Sequence, residues 1–217
     1  MGKAVIARLK QLARDDGYYV GSRILWDIVC TRINSRFLAW QLGVQRLSIP
    51  PDAQIGGLRF ITLGENVRAG RGLWLDAVSR YQGVDYSPRI IIGDNSAMSR
   101  YVHIAATNLV QIGSNVLFGS NVLVTDHHHG DYQHAHSSPD QLPIQRRLTS
   151  SLTTIVGDNV WLGDGVIVMP GVTIGYGSII GANSVVTHDI PPFTIAAGIP
   201  AVALKKFDIA SQQWRKL

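Results

Sequence analysis

The chain has 217 residues, 46% hydrophobic and 16% charged, which excludes a disordered segment and allows one large domain with a small appendage. Twenty lysines and arginines against fifteen acidic residues leave a net charge of +5, suited to anionic partners, but the cations are scattered and not interleaved with stacking aromatics, so no nucleic-acid partner is expected. The single cysteine, Cys30, excludes an intrachain disulfide and a thiolate metal cluster.

At the N-terminus, Lys3, Arg8, Lys10 and Arg14 interrupt any apolar run, so no secretory leader is expected. The stretch Ile24 to Cys30 is broken by Asp27 and is too short to span a bilayer, which leads to an expected cytoplasmic location. Val5, Ile6, Leu9, Leu12 and Ala13 recur at helical spacing, as do Ile24, Leu25, Ile28, Val29 and Ile33, predicting two helices that end by Leu42–Gly43. They form the core of a helical cap over residues 1–59. Arg23, Arg32 and Arg36 stand beside Trp26, Phe37 and Trp40, which leaves two readings open: packing on the core or a second subunit, or peripheral association with the inner face of a membrane.

Beyond the cap, one spacing dominates. Six-residue steps from Ile92 give Met98 and Ile104; from Ile112, Phe118 and Val124; from Val156, Leu162, Val168, Ile174, Ile180 and Val186. All twelve anchors are large and apolar, and glycine follows seven of them, among them Gly93, Gly113, Gly119, Gly157, Gly163, Gly175 and Gly181. Neither helix nor simple strand alternation has this period. Three hexads close one coil of a triangular prism, with a short strand on each side and a tight turn at each corner, and each coil needs the next to cover its apolar floor. Coils are expected at 92–109, 112–129, 156–173 and 174–191, with a less regular one starting at Leu63–Gly64 and interrupted near Arg80–Arg89. Glycine at the corners is expected to supply backbone angles denied to other residues. The prism domain covers 60–203, with a protruding loop at 126–153, and the tail 204–217 is expected to form a short helix.

The stretch from Thr154 to Ala201 carries Gly157 to Trp161, Gly163, the Pro170–Gly171 turn, Gly181–Ala182 and the closing Ala197–Gly198–Ile199–Pro200–Ala201. It resembles the hexapeptide-repeat acyltransferases, especially O-acetyltransferases acting on sugars and bacterial surface polysaccharides. The resemblance spans residues 60–206 and implies a mainly β chain built as a left-handed parallel β-helix. It also implies acetyl-CoA as acyl donor with no metal required, a sugar or glycan acceptor, and a homotrimer with sites at subunit borders. Similar proteins carry a histidine-bearing loop after a repeat, and that slot here holds Thr125–Asp126–His127–His128–His129–Gly130.

An alcohol is a poor nucleophile at neutral pH, so a positioned imidazole suits it as general base. Counting without gaps from Ile112 matches the family's catalytic histidine to His129, with His127 as second candidate and partner. Asp126 either orients one of the two imidazoles or serves the turn. Backbone N–H groups beside the glycine corners are candidate donors to developing negative charge. The resemblance places Trp161 and Gly163 at the thioester end, Gly181, Ala182 and Thr187 along the pantetheine arm, and Lys205 and Lys206 at the cofactor's phosphates. Arg146 and Arg147, in the loop with His134 and His136, are candidates for an anionic sugar. Two rivals remain: a carbonic anhydrase-like hydratase on the same fold, with zinc on His103, His129 and His134, and a catalytically silent scaffold.

Overall fold

Strands of two to four residues cannot persist singly; they hold when each lies between two others. The computed structural model describes residues 11, 14, 17–132, 138–149 and 151–217, and in it most strands are held in this way. Three parallel sheets run up one axis. The first face carries Leu47–Ser48, Val67–Ala69, Ala97–Met98, Leu117–Phe118, Trp161–Leu162, Ile179–Ile180 and Thr194–Gly198. The second carries Gln54–Gly56, Trp74–Ala77, His103–Ala106, Leu123–Thr125, Ile167–Val168 and Val185–Val186. The third carries Ile61–Leu63, Arg89–Ile92, Leu109–Ile112, Thr153–Val156 and Thr173–Ile174. The chain visits the faces in rotation, which is the three-sided coil that the hexads predict.

All twelve anchors are buried, and they stack in register: Ile92 pairs with Ile112, Ile112 with Val156, and Val156 with Ile174 on the third face alone. The glycines after the anchors have a different cause from the one expected. The left-handed backbone angles at the corners belong mostly to asparagines, Asn95, Asn115, Asn121, Asn159 and Asn183, with φ between 56° and 59°. Gly113 and Gly119 are needed because a Cβ there would fall 2.6 Å from Asp158 N and 2.4 Å from Asp164 N, the backbone of the coil above. Close stacking, not torsional freedom, excludes side chains at these positions.

Extra residues leave the prism only at corners. The hairpin Arg80–Tyr81/Val84–Asp85 follows the second face, Thr107–Asn108 form a two-residue corner, and the segment 126–152 protrudes after Leu123–Thr125.

Two boundaries differ from expectation. Strands Leu47–Ser48 and Gln54–Gly56 already pair with the next coil, so the prism begins before residue 60. The hexad signal is weak there because Pro50, Pro51 and the short 3-10 turn Leu58–Phe60 interrupt it. The tail is not a helix: Ala201–Asp208 runs antiparallel to Thr194–Gly198 and then pairs with Gln213–Lys216. The last coil leaves an open row of backbone donors and acceptors, and folding the tail back satisfies it. Phe207 against Trp214, ring centres 5.3 Å apart, and Arg215 Nε to Asp208 at 2.7 Å are the cross-strand pairs that fix this turn.

Before the prism, helix α1 (Gly17–Leu42) covers its N-terminal end, ending where the second helix was expected to end. The first expected helix, at Val5 to Ala13, falls largely outside the described residues.

Phe118 is the largest fully buried side chain, so Phe118→Ala is expected to destabilise the fold by about 3–5 kcal/mol. Urea unfolding at fixed protein concentration measures this; a loss under about 1 kcal/mol would show that neighbouring coils collapse into the void.

Candidate active site

The site is built at the corner where the chain leaves the second face. Asp126 stands two residues after the anchor Val124, the position that Asp94, Asp158 and Asp164 take in other hexads. Those carboxylates accept backbone N–H groups from the coil below, Glu65 N to Asp94 and Ser114 N to Asp158 both at 2.7 Å. Asp126 does the same with more partners. Its Oδ1 accepts from Thr107 N at 2.9 Å, and its Oδ2 accepts from Asn108 N at 2.8 Å. The side chain is wholly buried, and charge-assisted bonds from fixed backbone donors satisfy it there.

The same Oδ1 also meets an imidazole. His127 Nδ1 lies 2.9 Å from Asp126 Oδ1, with Thr125 Oγ1 at 3.2 Å from the same nitrogen. Donation of Nδ1–H to the carboxylate leaves Nε2 with the lone pair and fixes the ring plane. His127 is the histidine so held; its side chain is 12% exposed. His129 is exposed, bridges antiparallel to Leu148, and meets Tyr81 edge-on at 5.3 Å. Asp126 therefore orients His127 and not His129, the imidazole reached by counting without gaps, because the coil ends at Asp126.

A cleft of about 550 Å³ opens in front of His127. Its floor is the outer row of the second face, where Trp74 and His103 stack at 4.0 Å with ring planes 6° apart. The hairpin residues Arg80 and Tyr81 and the loop residues His129 and Leu148 form its walls. Two tyrosines join these walls: Tyr81 Oη donates to Ile144 O at 2.9 Å, and Tyr86 Oη accepts from Leu148 N at 3.0 Å. Thr107 Oγ1 donates to Thr149 O at 2.6 Å, and Thr149 Oγ1 accepts from His128 N at 2.8 Å, so the corner that holds Asp126 also holds the returning loop.

Burial lowers the pKa of His103 from its ordinary value, opposed by Asp76 and assisted by His127. His128 is lowered too, by burial and then by His127. His103 Nε2 is buried without a hydrogen-bond partner among the described residues. A charged imidazole there would be poorly solvated, so the ring stacked on Trp74 is neutral at physiological pH.

The remaining expected residues scatter. Trp161 lies half-exposed on the first face, and Gly163 and Gly181 turn the corners of that face. Packing accounts for both glycines: a Cβ on Gly163 would lie 2.7 Å from Ala182 N, and one on Gly181 would lie 2.8 Å from Ala197 Cβ. Ala182 is exposed beside them, and exposed Thr187 binds His188 Nδ1 at 2.8 Å. Lys205 and Lys206 are exposed on the strand after the last coil. Within one chain none of these residues joins the His127 cleft. Arg146 is engaged in the loop itself, donating to Gln141 O at 2.9 Å and to Tyr132 Oη at 3.0 Å, whereas Arg147 is exposed. His134 and His136 lie outside the described residues, and among the described residues no three His, Cys, Asp or Glu side chains group as metal ligands. Trp74, Tyr81, Thr107 and Thr149 were not singled out from sequence. The two residues left over between the coils expected at 92–109 and 112–129 were the available signal for this corner, which the structure places at Thr107–Asn108.

Comparison with known proteins gives the family. Residues 153–188 match the bacterial transferase hexapeptide (six repeats) family. A provisionally named lipopolysaccharide biosynthesis O-acetyl transferase of Escherichia coli K12, WbbJ, is 44% identical over 95% of this chain and 98% of its own. The galactoside O-acetyltransferase of the same organism is 33% identical over 69% of this chain and 65% of its own. Among solved structures, AntD, an N-acyltransferase from Bacillus cereus in complex with dTDP and 3-hydroxybutyryl-CoA, shares the fold with a TM-score of 0.61 at 21% identity, over 75% of this chain and 81% of that one. The chain belongs to the hexapeptide-repeat acyltransferases, enzymes built on the left-handed parallel β-helix, as the repeat and the closing motif led one to expect.

The lowered pKa of His103 has a sign. The unfolded chain takes up a proton below about pH 6.5 while the folded ring resists it, so folding stability is fully present above that pH and is lost as pH falls below it. Ring-proton NMR is expected to show two histidines titrating below the ordinary value, His103 and His128, of which the first is absent in His103→Gln, and the variant's acid unfolding midpoint should shift down. A His103 that titrates at or above the ordinary value would contradict the burial argument.

Proposed function

We propose that this enzyme transfers an acetyl group from acetyl-CoA to a sugar hydroxyl during synthesis of a bacterial surface polysaccharide in the cytoplasm, with His127 as general base. The observation that carries the mechanism is the Asp126–His127 pair: a buried carboxylate on Nδ1 of a ring that lines the cleft, with no partner on Nε2 among the described residues. Acetyl-CoA, when bound, supplies the acyl group as an already reactive thioester. His127 Nε2 takes the proton of the acceptor hydroxyl as that oxygen attacks, then returns it to the departing sulfur. Asp126 keeps the proton-bearing Nδ1 turned away and stabilises the cationic ring between those two transfers. Trp74, backed by His103, offers a flat apolar surface on which a sugar ring can rest.

The donor fits a row on the first face. Trp161, Ile179, Ile195 and Lys205 are register neighbours, so an apolar strip of three strand spacings, roughly 14 Å, ends at a cation. Such a strip suits a carrier arm with an anionic end, with Lys206 beside it and Gly181, Ala182 and Thr187 near its flank. That strip and His127 stand on different sides of one prism. The two meet if the first face of one subunit lies against the cleft of its neighbour, which supports a homotrimer with sites at subunit borders. The surface-polysaccharide reading is supported by the near full-length similarity to WbbJ. An acceptor carried on a lipid would be met at a membrane surface.

Thiol release from acetyl-CoA in the presence of a panel of sugars tests this. His127→Ala is expected to lower kcat about 10²–10⁴-fold, and His129→Ala less than about tenfold. Asp126→Asn should lower kcat with little change in KM for acetyl-CoA, since it disturbs the base and not the donor strip. Equal losses in the two histidine variants would remove the assignment of the base; no turnover with any sugar would remove the acceptor class.

A further inference from the structure

Helix α1 uses one side to close the prism. Leu38 and Ala39 are buried, Asn34 Nδ2 donates to Ile49 O at 3.0 Å, and Ser35 Oγ accepts from Ile49 N at 2.9 Å. Its opposite side is also apolar and has no partner among the described residues. Tyr19, Trp26, Ile33 and Trp40 are 72%, 68%, 67% and 76% exposed, and Phe37 is 59% exposed. The first four stand seven residues apart, and a heptad falls only about 20° short of two full turns. They therefore share one side over roughly 32 Å of helix. A helix apolar on both sides is normally covered on both.

The charges around this strip define what covers it. Arg23, Arg32 and Arg36 flank it, and Arg46 faces it from the first coil. Among the described residues none of these four is ion-paired; Asp27, the only acid of α1, lies 3.6 Å from Arg71. Arg32, Arg36 and Arg46 share with Val29 and Ile33 a groove of about 660 Å³ between helix and prism. A second copy is a poor match. Like faces would bring the arginine rims together, and Ser22, Val29 and Arg36, the complementary heptad positions, do not continue an apolar seam. Spanning is no alternative, since no helix among the described residues is long and apolar enough to cross a membrane. Aromatic rings flanked by guanidinium groups match the boundary between acyl chains and anionic headgroups.

We infer that α1 lies in the plane of an anionic bilayer surface, with Trp26, Ile33, Phe37 and Trp40 at the acyl boundary and Arg23, Arg32 and Arg36 on lipid phosphates. This does not depend on the acetyl-transfer reading, and its test uses no turnover.

The full-length protein is sedimented with phosphatidylcholine vesicles, with and without phosphatidylglycerol. Anionic vesicles are expected to bind at least about tenfold more tightly, an advantage lost in high salt. Trp26→Ser/Trp40→Ser and Arg23→Glu/Arg36→Glu should each weaken binding about tenfold, with melting and light-scattering mass unchanged, since all four side chains are exposed. Brominated lipid should quench wild-type fluorescence more than that of Trp26→Phe/Trp40→Phe, which keeps the apolar face and removes the reporters. Absent binding, or equal binding to both vesicles, overturns the inference. Loss of oligomer mass in the Trp26→Ser/Trp40→Ser variant would overturn it in favour of a second copy.

Discussion

Backbone resting on backbone, one coil above another, is the contact on which the rest of this molecule depends. At Gly113 and Gly119 the separation leaves no room for even a methyl group, and the anchors beneath stack in register because nothing holds the coils apart. Such packing tolerates no insertion within a strand. Added residues are expelled to the corners, and the corners are where this protein keeps its chemistry.

Asp126 shows how a structural device becomes a functional one. Elsewhere an aspartate at this position only ties its coil to the one below. Here the coil below turns through Thr107–Asn108, which supplies two backbone donors, and the coil above departs into a loop, which brings His127 against the same carboxylate. His127 is thereby positioned by the stack, while Tyr81 and Tyr86 tie the cleft walls to the loop through Ile144 O and Leu148 N.

The prism was legible because the period of six is imposed by stacking and repeats along the chain; all twelve anchors read from it are buried. Its beginning at Leu47 and its ending in antiparallel strands were not, because edges lack a second neighbour and follow local rules. In the candidate site the histidine cluster and Asp126 could be read as a group, but the choice between His127 and His129 could not. That choice turns on where the repeat stops, and the repeat stops through a hydrogen-bonded corner that leaves no periodic trace. Trp74 and Tyr81 belong to an adjacent coil and an inserted hairpin, and only folding brings them beside His127.

The returning tail also bears on how the protein behaves in a crowded solution. A stack of identical rungs has no intrinsic length, and an uncovered terminal rung invites another molecule to continue it, which is how fibres grow. Here the growing edge is turned around, finished with a four-residue strand, and armed with Arg215 and Lys216. Both tail strands thus stand between the last coil and any molecule that would add to it.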